Sequence, residues 1–363
     1  MGRRLLLSAA VSAFALVGCA TVPMVDVPSA NRNERVSHLI LHFTSENFAE
    51  SLRLLTHAAP NPVSAHYLVP VAGDPTYPRD RLIVHRLVPE SERAWHAGRS
   101  AWFGRTALND SSIGIEIVNR SGCTLPEAGA ARIDPADAAL EPAREPRRLE
   151  PRSENAADAA LEAALEAAPE QQFIPGPGSE PNEVRLDPVC TFLPYPDAQI
   201  DLLIALIRDV LARNPDIGPV DITGHADIAP DRKVDPGPQF PWRRLYEAGI
   251  GAWYDEATMA RYLEEFGQQL PELSLLQAAL SAYGYDVDIS GEADDRTRFA
   301  VRAFQMHFRP ADHDGRFDAE TAAILFALLE KYRAGGMAER SEAAPAGPIE
   351  ARAPDVADRD PPR

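Results

Sequence analysis

The chain reads as an α/β domain followed by a small all-α domain, and three observations predict this. Short apolar, β-branched runs end at or enclose titratable residues: Val36, Leu39, Ile40 and Leu41 before His42, Ile113, Ile115, Ile117 and Val118 around Glu116, and Val220 to Thr223 before His225. Helical spacings alternate with them, Phe48, Leu52 and Leu55 on one face, then Ile200, Leu203, Ile204, Ile207 and Leu211. From Leu273 the pattern becomes three short amphipathic stretches joined by Gly/Asp turns, within residues 270–332. That is near the lower size limit for a self-standing core.

Taken in order, residues 1–19 have the form of a signal peptide: Arg3-Arg4, an apolar stretch from Leu5 to Val17, then Gly18-Cys19. The ending Leu16-Val17-Gly18-Cys19 resembles a bacterial lipobox. The resemblance implies cleavage before Cys19, lipidation of its thiol and, with Ala20 rather than Asp following, the periplasmic face of the outer membrane. A chance cysteine is the alternative. Residues 20–34 form a tether, and the α/β domain spans 35–255. Ser45 is placed to cap the first helix. Strands are expected around His66 to Val69 and Arg81 to Val88, with Gly73-Asp74-Pro75 turning between them.

Residues 127–183 are rich in Ala, Glu, Pro and Arg and nearly lack aromatics, so they are expected to be a disordered acidic insertion, with a solitary helix over Asn155 to Ala168. Cys123 and Cys190 flank it, and an exported compartment permits a disulfide between them. Two buried free thiols are the other option. The helix starting near Ile200 stops at Asn214-Pro215-Asp216, and Trp242 to Gly249 reads as a closing helix. Residues 333–363 are expected to be a disordered tail. With 36 Lys+Arg against 54 Asp+Glu, the net charge of −18 excludes a nucleic-acid partner and a helix lying on an anionic bilayer. Membrane association is left to the lipid anchor, and a monomer is expected.

Chemistry concentrates between Gly224 and Gly237. His225 and Asp235 are of the residue types that bind zinc, and a catalytic site needs a third protein ligand from elsewhere. The nine residues between them read as a loop. Taken alone, the pair also fits a capping pair or a solvated surface. Glu116 inside an apolar strand is costly without a partner or a task.

Five segments in order, Leu39 to Thr44, Ser64 to Val69, Ala94 to Gly98, Asn109 to Glu116 and Gly224 to Gly237, resemble the zinc-dependent N-acetylmuramoyl-L-alanine amidases, AmiD- and AmpD-like, related to the peptidoglycan recognition proteins. The resemblance implies a mixed central β-sheet flanked by helices, one Zn2+ held by His42, His225 and Asp235, Glu116 as general acid/base and Lys233 beside the oxyanion. His66 and His96 could each replace His42 as ligand. Otherwise His66 and His96 are expected to support the ligands from behind or to line the substrate groove, where Trp95 and Trp102 are further candidates, with core packing as the alternative for the two tryptophans. The C-terminal stretch resembles the three-helix peptidoglycan-binding domain, expected to hold the chain on its polymer and to take no part in the chemistry. The implied activity is hydrolysis of the amide between N-acetylmuramic acid and L-alanine in peptidoglycan or muropeptides. A non-catalytic peptidoglycan-binding lipoprotein is the alternative.

Overall fold

The computed structural model describes residues 35–124 and 189–334. The signal peptide, Cys19, the tether, the insertion with its solitary helix and the tail beyond 334 lie outside the described residues.

The strands are β1 (His38–Phe43), β2 (Tyr67–Val69), β3 (His85–Arg86), β4 (Ala101–Trp102), β5 (Arg105–Thr106), β6 (Ser112–Ile117), β7 (Gly122–Thr124), β8 (Val189–Thr191) and β9 (Ile222–Gly224). The helices are α1 (Phe48–Thr56), α2 (Asp197–Arg213), α3 (His225–Ile228), α4 (Trp242–Glu247), α5 (Glu256–Gln268), α6 (Leu273–Tyr283), α7 (Asp295–Phe308) and α8 (Ala319–Leu329). The central sheet runs β3-β2-β6-β1-β9. It is mixed: β1 is parallel to β6 and β9, β2 is parallel to β6, and β3 closes one edge antiparallel.

Alternation along β6 divides its residues between the two faces. Ile113, Ile115 and Ile117 take one face and are fully buried. Ser112, Gly114 and Glu116 take the other, in register with His38, Ile40 and His42 of β1. α2 packs against β2 and buries Ile200, Leu203, Ile207 and Val210. Its Gln199 amide donates to the Val118 carbonyl at 2.9 Å, closing the backbone just past β6.

Local expectations need small corrections. The first helix is capped by Asn47, whose Oδ1 accepts from the Glu50 N–H at 2.9 Å, while Ser45 turns the chain before it at φ 58°. The run from Arg81 to Val88 yields only two strand residues, because the Ile83 N–H is taken by the Tyr77 hydroxyl at 2.9 Å rather than by a strand. Cys123 and Cys190 are bonded, facing each other across the β7–β8 ribbon. Closing a loop of this length, 67 residues of separation, contributes about 4 kcal/mol in the chain-entropy model.

Helices α6, α7 and α8 are the three helices expected from sequence, and they pack against the α/β core. α5, left outside both domains by the sequence reading, packs along α8, with Phe266 edge-on to Phe326 at 5.0 Å. The α/β core and the helices then form one continuous apolar cluster. Trp102, a groove candidate in the sequence, is instead buried at this seam, edge-on to Tyr285 at 5.0 Å. A Cβ at Gly284 would sit 2.8 Å from its indole, so only glycine lets α6 end there. Within the helices two buried glutamines repeat one device. Gln277 Oε1 accepts from the Gly291 N–H and its amide donates to Thr297; Gln305 does the same with Gly315 and Thr321. Asp294 and Asp318 cap the helices that begin after each turn.

Acid should test one strand directly. Burial, aided by Arg105 and opposed by a hydrogen bond from the imidazole to the Ser111 backbone, lowers the His38 pKa to about 4. Between pH 6.5 and 4 the unfolded chain therefore binds a proton here that the folded chain does not, so stability is complete above 6.5 and falls with pH through this window. The loss from this residue should approach about 3 kcal/mol. In denaturant titrations, the wild-type stability should drop more steeply over that range than that of His38→Gln.

Candidate metal centre

His42 stands opposite Glu116 in the β1–β6 register, and His225 directly follows Gly224, which is paired with Leu41. All three side chains therefore rise from one face of the sheet. The nine-residue connection to Asp235 is not all loop, as its composition suggested: His225–Ile228 make one helical turn. Asp227 supplies the reason, its carboxylate reaching back to the Gly224 N–H at 2.8 Å. The chain then returns so that the Ala226 N–H donates to the Asp235 carbonyl at 2.8 Å. Gly224 permits this, since a Cβ there would lie 2.5 Å from Pro236 Cδ. Tyr195 secures the far side by donating to the Pro236 carbonyl at 2.8 Å.

His42, His225 and Asp235 are all buried, with one ligand atom each within 4.8 Å of the others. His42 Nδ1 lies 3.0 Å from His225 Nδ1 and 3.1 Å from Asp235 Oδ2, and the third edge is 3.2 Å. The surrounding hydrogen bonds fix what these atoms present. His225 Nε2 must donate to the Ala97 carbonyl at 3.2 Å, leaving a lone pair on Nδ1. Ser112 gives its hydroxyl proton to the Leu108 carbonyl at 2.6 Å, so it accepts from His96 Nε2 at 3.2 Å. His96 Nδ1 then accepts from His42 Nε2 at 3.0 Å, and His42 Nδ1 is also a lone pair. Burial lowers the His96 and His225 pKa values, the latter to about 3, consistent with neutral rings.

Two imidazole lone pairs and a carboxylate oxygen thus converge on one point, an arrangement that calls for a cation. A tetrahedral centre with bonds of about 2.0 Å has ligand–ligand edges of about 3.3 Å, close to this triangle. The residues present fit zinc.

Glu116 Oε2 is sealed from solvent and has no hydrogen-bond partner, although the residue as a whole keeps partial exposure. Burial raises its pKa to about 7, with His42 and Lys233 pulling down and Asp235 pushing up. Lys233 is thereby near enough for its charge to act on both Glu116 and His225. A cavity of about 260 Å³ opens beyond the end of β6, lined by Gly73, Asp74, Asn119, Arg120 and Leu193 among others.

His66 and His96 do not line a groove. His96 is the inward support of His42, its ring lying where a Cβ on Gly114 would be 2.4 Å away. His66 is fully buried, accepting from the Gly114 N–H at 3.0 Å and bonded to the Glu92 carbonyl at 3.2 Å. Both rings are buried, and neither belongs to the group of ligand atoms formed by His42, His225 and Asp235. Trp95 keeps 48 % of its surface exposed. Sequence reading missed Ser112 and Asp227. Ser112 was detectable as the first of the alternating small or polar positions of β6, whereas the Leu108 and Ala97 carbonyls leave no trace in side-chain patterns.

Comparison with known proteins places these features. The N-acetylmuramoyl-L-alanine amidase family matches residues 32–168, and a peptidoglycan binding domain matches residues 269–325. The N-acetylmuramoyl-L-alanine amidase AmiD of Escherichia coli is 38% identical over 299 residues, covering 82% of this chain and 84% of that protein. The crystal structure of AmpDh3 from Pseudomonas aeruginosa superposes with a TM-score of 0.64 at 38% identity, covering 86% of this chain and 99% of that one. The complex of E. coli AmiD with anhydro-N-acetylmuramic acid-L-Ala-D-gamma-Glu-L-Lys gives 0.58 at 36% identity, covering 84% and 93%.

Proposed function

The chain belongs to the N-acetylmuramoyl-L-alanine amidase family, and from this premise we propose that it hydrolyses the amide joining the lactyl group of N-acetylmuramic acid to L-alanine, using one zinc held by His42, His225 and Asp235. The observation that carries the metal is the triangle of lone pairs, which the hydrogen bonds of Ala97, His96 and Ser112 impose. Zinc, when bound, lowers the pKa of its water from about 15.7 to about 7 and polarises the carbonyl.

The chain's own residues do the rest. Glu116, through its unpartnered Oε2, takes a proton from the water as the C–O bond forms and later delivers that proton to the amine of L-alanine as the C–N bond breaks, so the proton count balances. Lys233 offsets the negative charge that gathers on the carbonyl oxygen. The exposed Trp95 indole offers a sugar or peptide a stacking surface. Peptidoglycan and muropeptides are the substrate class.

The chain is further proposed to be exported, cut before Cys19 and anchored by lipid at the periplasmic face of the outer membrane, acting as a monomer. The Cys123–Cys190 bond supports an oxidising compartment. Digesting purified sacculi and soluble muropeptides side by side tests the chemistry. Product masses should show a free lactyl acid and a peptide with L-alanine as its new amino terminus. Cleavage at any other bond would overturn the assignment, and an unmodified Cys19 in protein recovered from membranes would overturn the anchor.

A further inference from the structure

Asp227 is only 2% exposed and lies two residues past His225, on the turn that presents that ligand. One donor to its carboxylate is the Gly224 N–H, which makes it the cap of the turn. The side-chain donors come from the C-terminal helices. The Tyr285 hydroxyl donates to Oδ1 at 2.6 Å, and His307 Nδ1 lies 2.8 Å from Oδ2. Both are themselves buried, at 2% and 5% exposure. His307 is held flat between Trp242, with ring centroids 3.7 Å apart, and Phe308 at 4.0 Å. Tyr285 is fixed against Trp102 at the seam.

Besides Asp227, the four-residue His225 turn is held by the Ala226 N–H on the Asp235 carbonyl at 2.8 Å and the Ala229 N–H on the His225 carbonyl at 3.0 Å, while the imidazole is tied outward at Nε2. A buried carboxylate deprived of its donors must turn toward water or recruit new partners. Either response rotates the peptide from which His225 projects and opens the triangle of ligand atoms.

We propose that Tyr285 and His307 are positioning residues of the metal centre, acting through Asp227 on His225, so that the helices matching a wall-binding domain are also a structural part of the catalytic site. The inference rests on the zinc reading above. It replaces the expectation that these helices take no part in the chemistry.

The test uses the full chain. Tyr285→Phe keeps the ring at the seam and removes only the hydroxyl, and Asp227→Asn removes the charge while keeping the shape. Lys331→Met serves as a control, since Lys331 also bridges the helices to the rest of the chain, through Trp253 and Tyr246, but away from the turn. Zinc dissociation constants from competition with a chromogenic chelator are compared with thermal unfolding of the zinc-free proteins. Outer-shell partners of metal ligands typically change affinity by about 10- to 100-fold. Tyr285→Phe and Asp227→Asn should each weaken zinc binding by roughly 10-fold or more, while Lys331→Met lowers the unfolding temperature and leaves the zinc constant within about twofold. Zinc constants for Tyr285→Phe and Asp227→Asn equal to wild type, or a loss in Lys331→Met as large as theirs, would overturn the inference while leaving the amidase reading standing. A wild-type chain that takes up no zinc at all overturns the metal reading, and this inference with it.

Discussion

Glu116→Gln is expected to lower turnover by roughly 100-fold or more, the range of a lost general acid/base, with fold and zinc content unchanged. The amide is nearly the same shape as the carboxylate, and Glu116 Oε2 has no hydrogen-bond partner that the substitution would disturb. Only proton transfer disappears. Burial has raised the carboxyl's pKa to about 7, the condition under which one group can both accept and return a proton near neutrality. Steady-state cleavage of a soluble muropeptide, with zinc measured on the same samples, checks it. Near-native turnover would transfer the base role to another residue.

His42→Ala and Asp235→Ala should lose both zinc and activity. Each removes one corner of a buried triangle whose edges are 3.0 to 3.2 Å, leaving two ligands where a catalytic zinc needs three. Metal analysis after exhaustive dialysis should find one zinc per wild-type chain and almost none in either variant. A full complement in both would dismiss the ligand set, whatever happened to catalysis. His66→Ala, by contrast, removes a ring bonded only to backbone groups of Gly114 and Glu92, so its cost should appear in stability rather than in metal content.

The sheet was legible because its strands are dense in Ile, Val and Leu and end at titratable residues. The same alternation that buries Ile113 and Ile115 puts Glu116 beside His42, but the ligand set and the role of Glu116 came from the resemblance of the ordered segments to the amidases. What could not be read was distance across the chain. Nothing local marks Tyr285 and His307 as partners of Asp227, since a tyrosine just past the end of α6 and a histidine within α7 look like any other core positions. The helical turn at His225 was hidden for a related reason: a Pro- and Asp-rich stretch has poor propensity, and the capping carboxylate of Asp227 overrides it. Of the two places expected for His66 and His96, the structure gives the one behind the metal ligands, where His96 supports His42, and burial keeps both rings out of a groove.

The bonded β7–β8 ribbon has a consequence for how this chain can change over time. The two strands bring Cys123 and Cys190 to a Cα separation of 3.9 Å, so the chain leaves the body and re-enters it through a single stapled gate. The ends of whatever lies between are set by the ribbon. Loop-closure entropy grows only logarithmically, each doubling of length costing about 0.6 kcal/mol. A change of length between 125 and 188 therefore costs little in closure entropy, and the ribbon presents the same two ends whatever that length is.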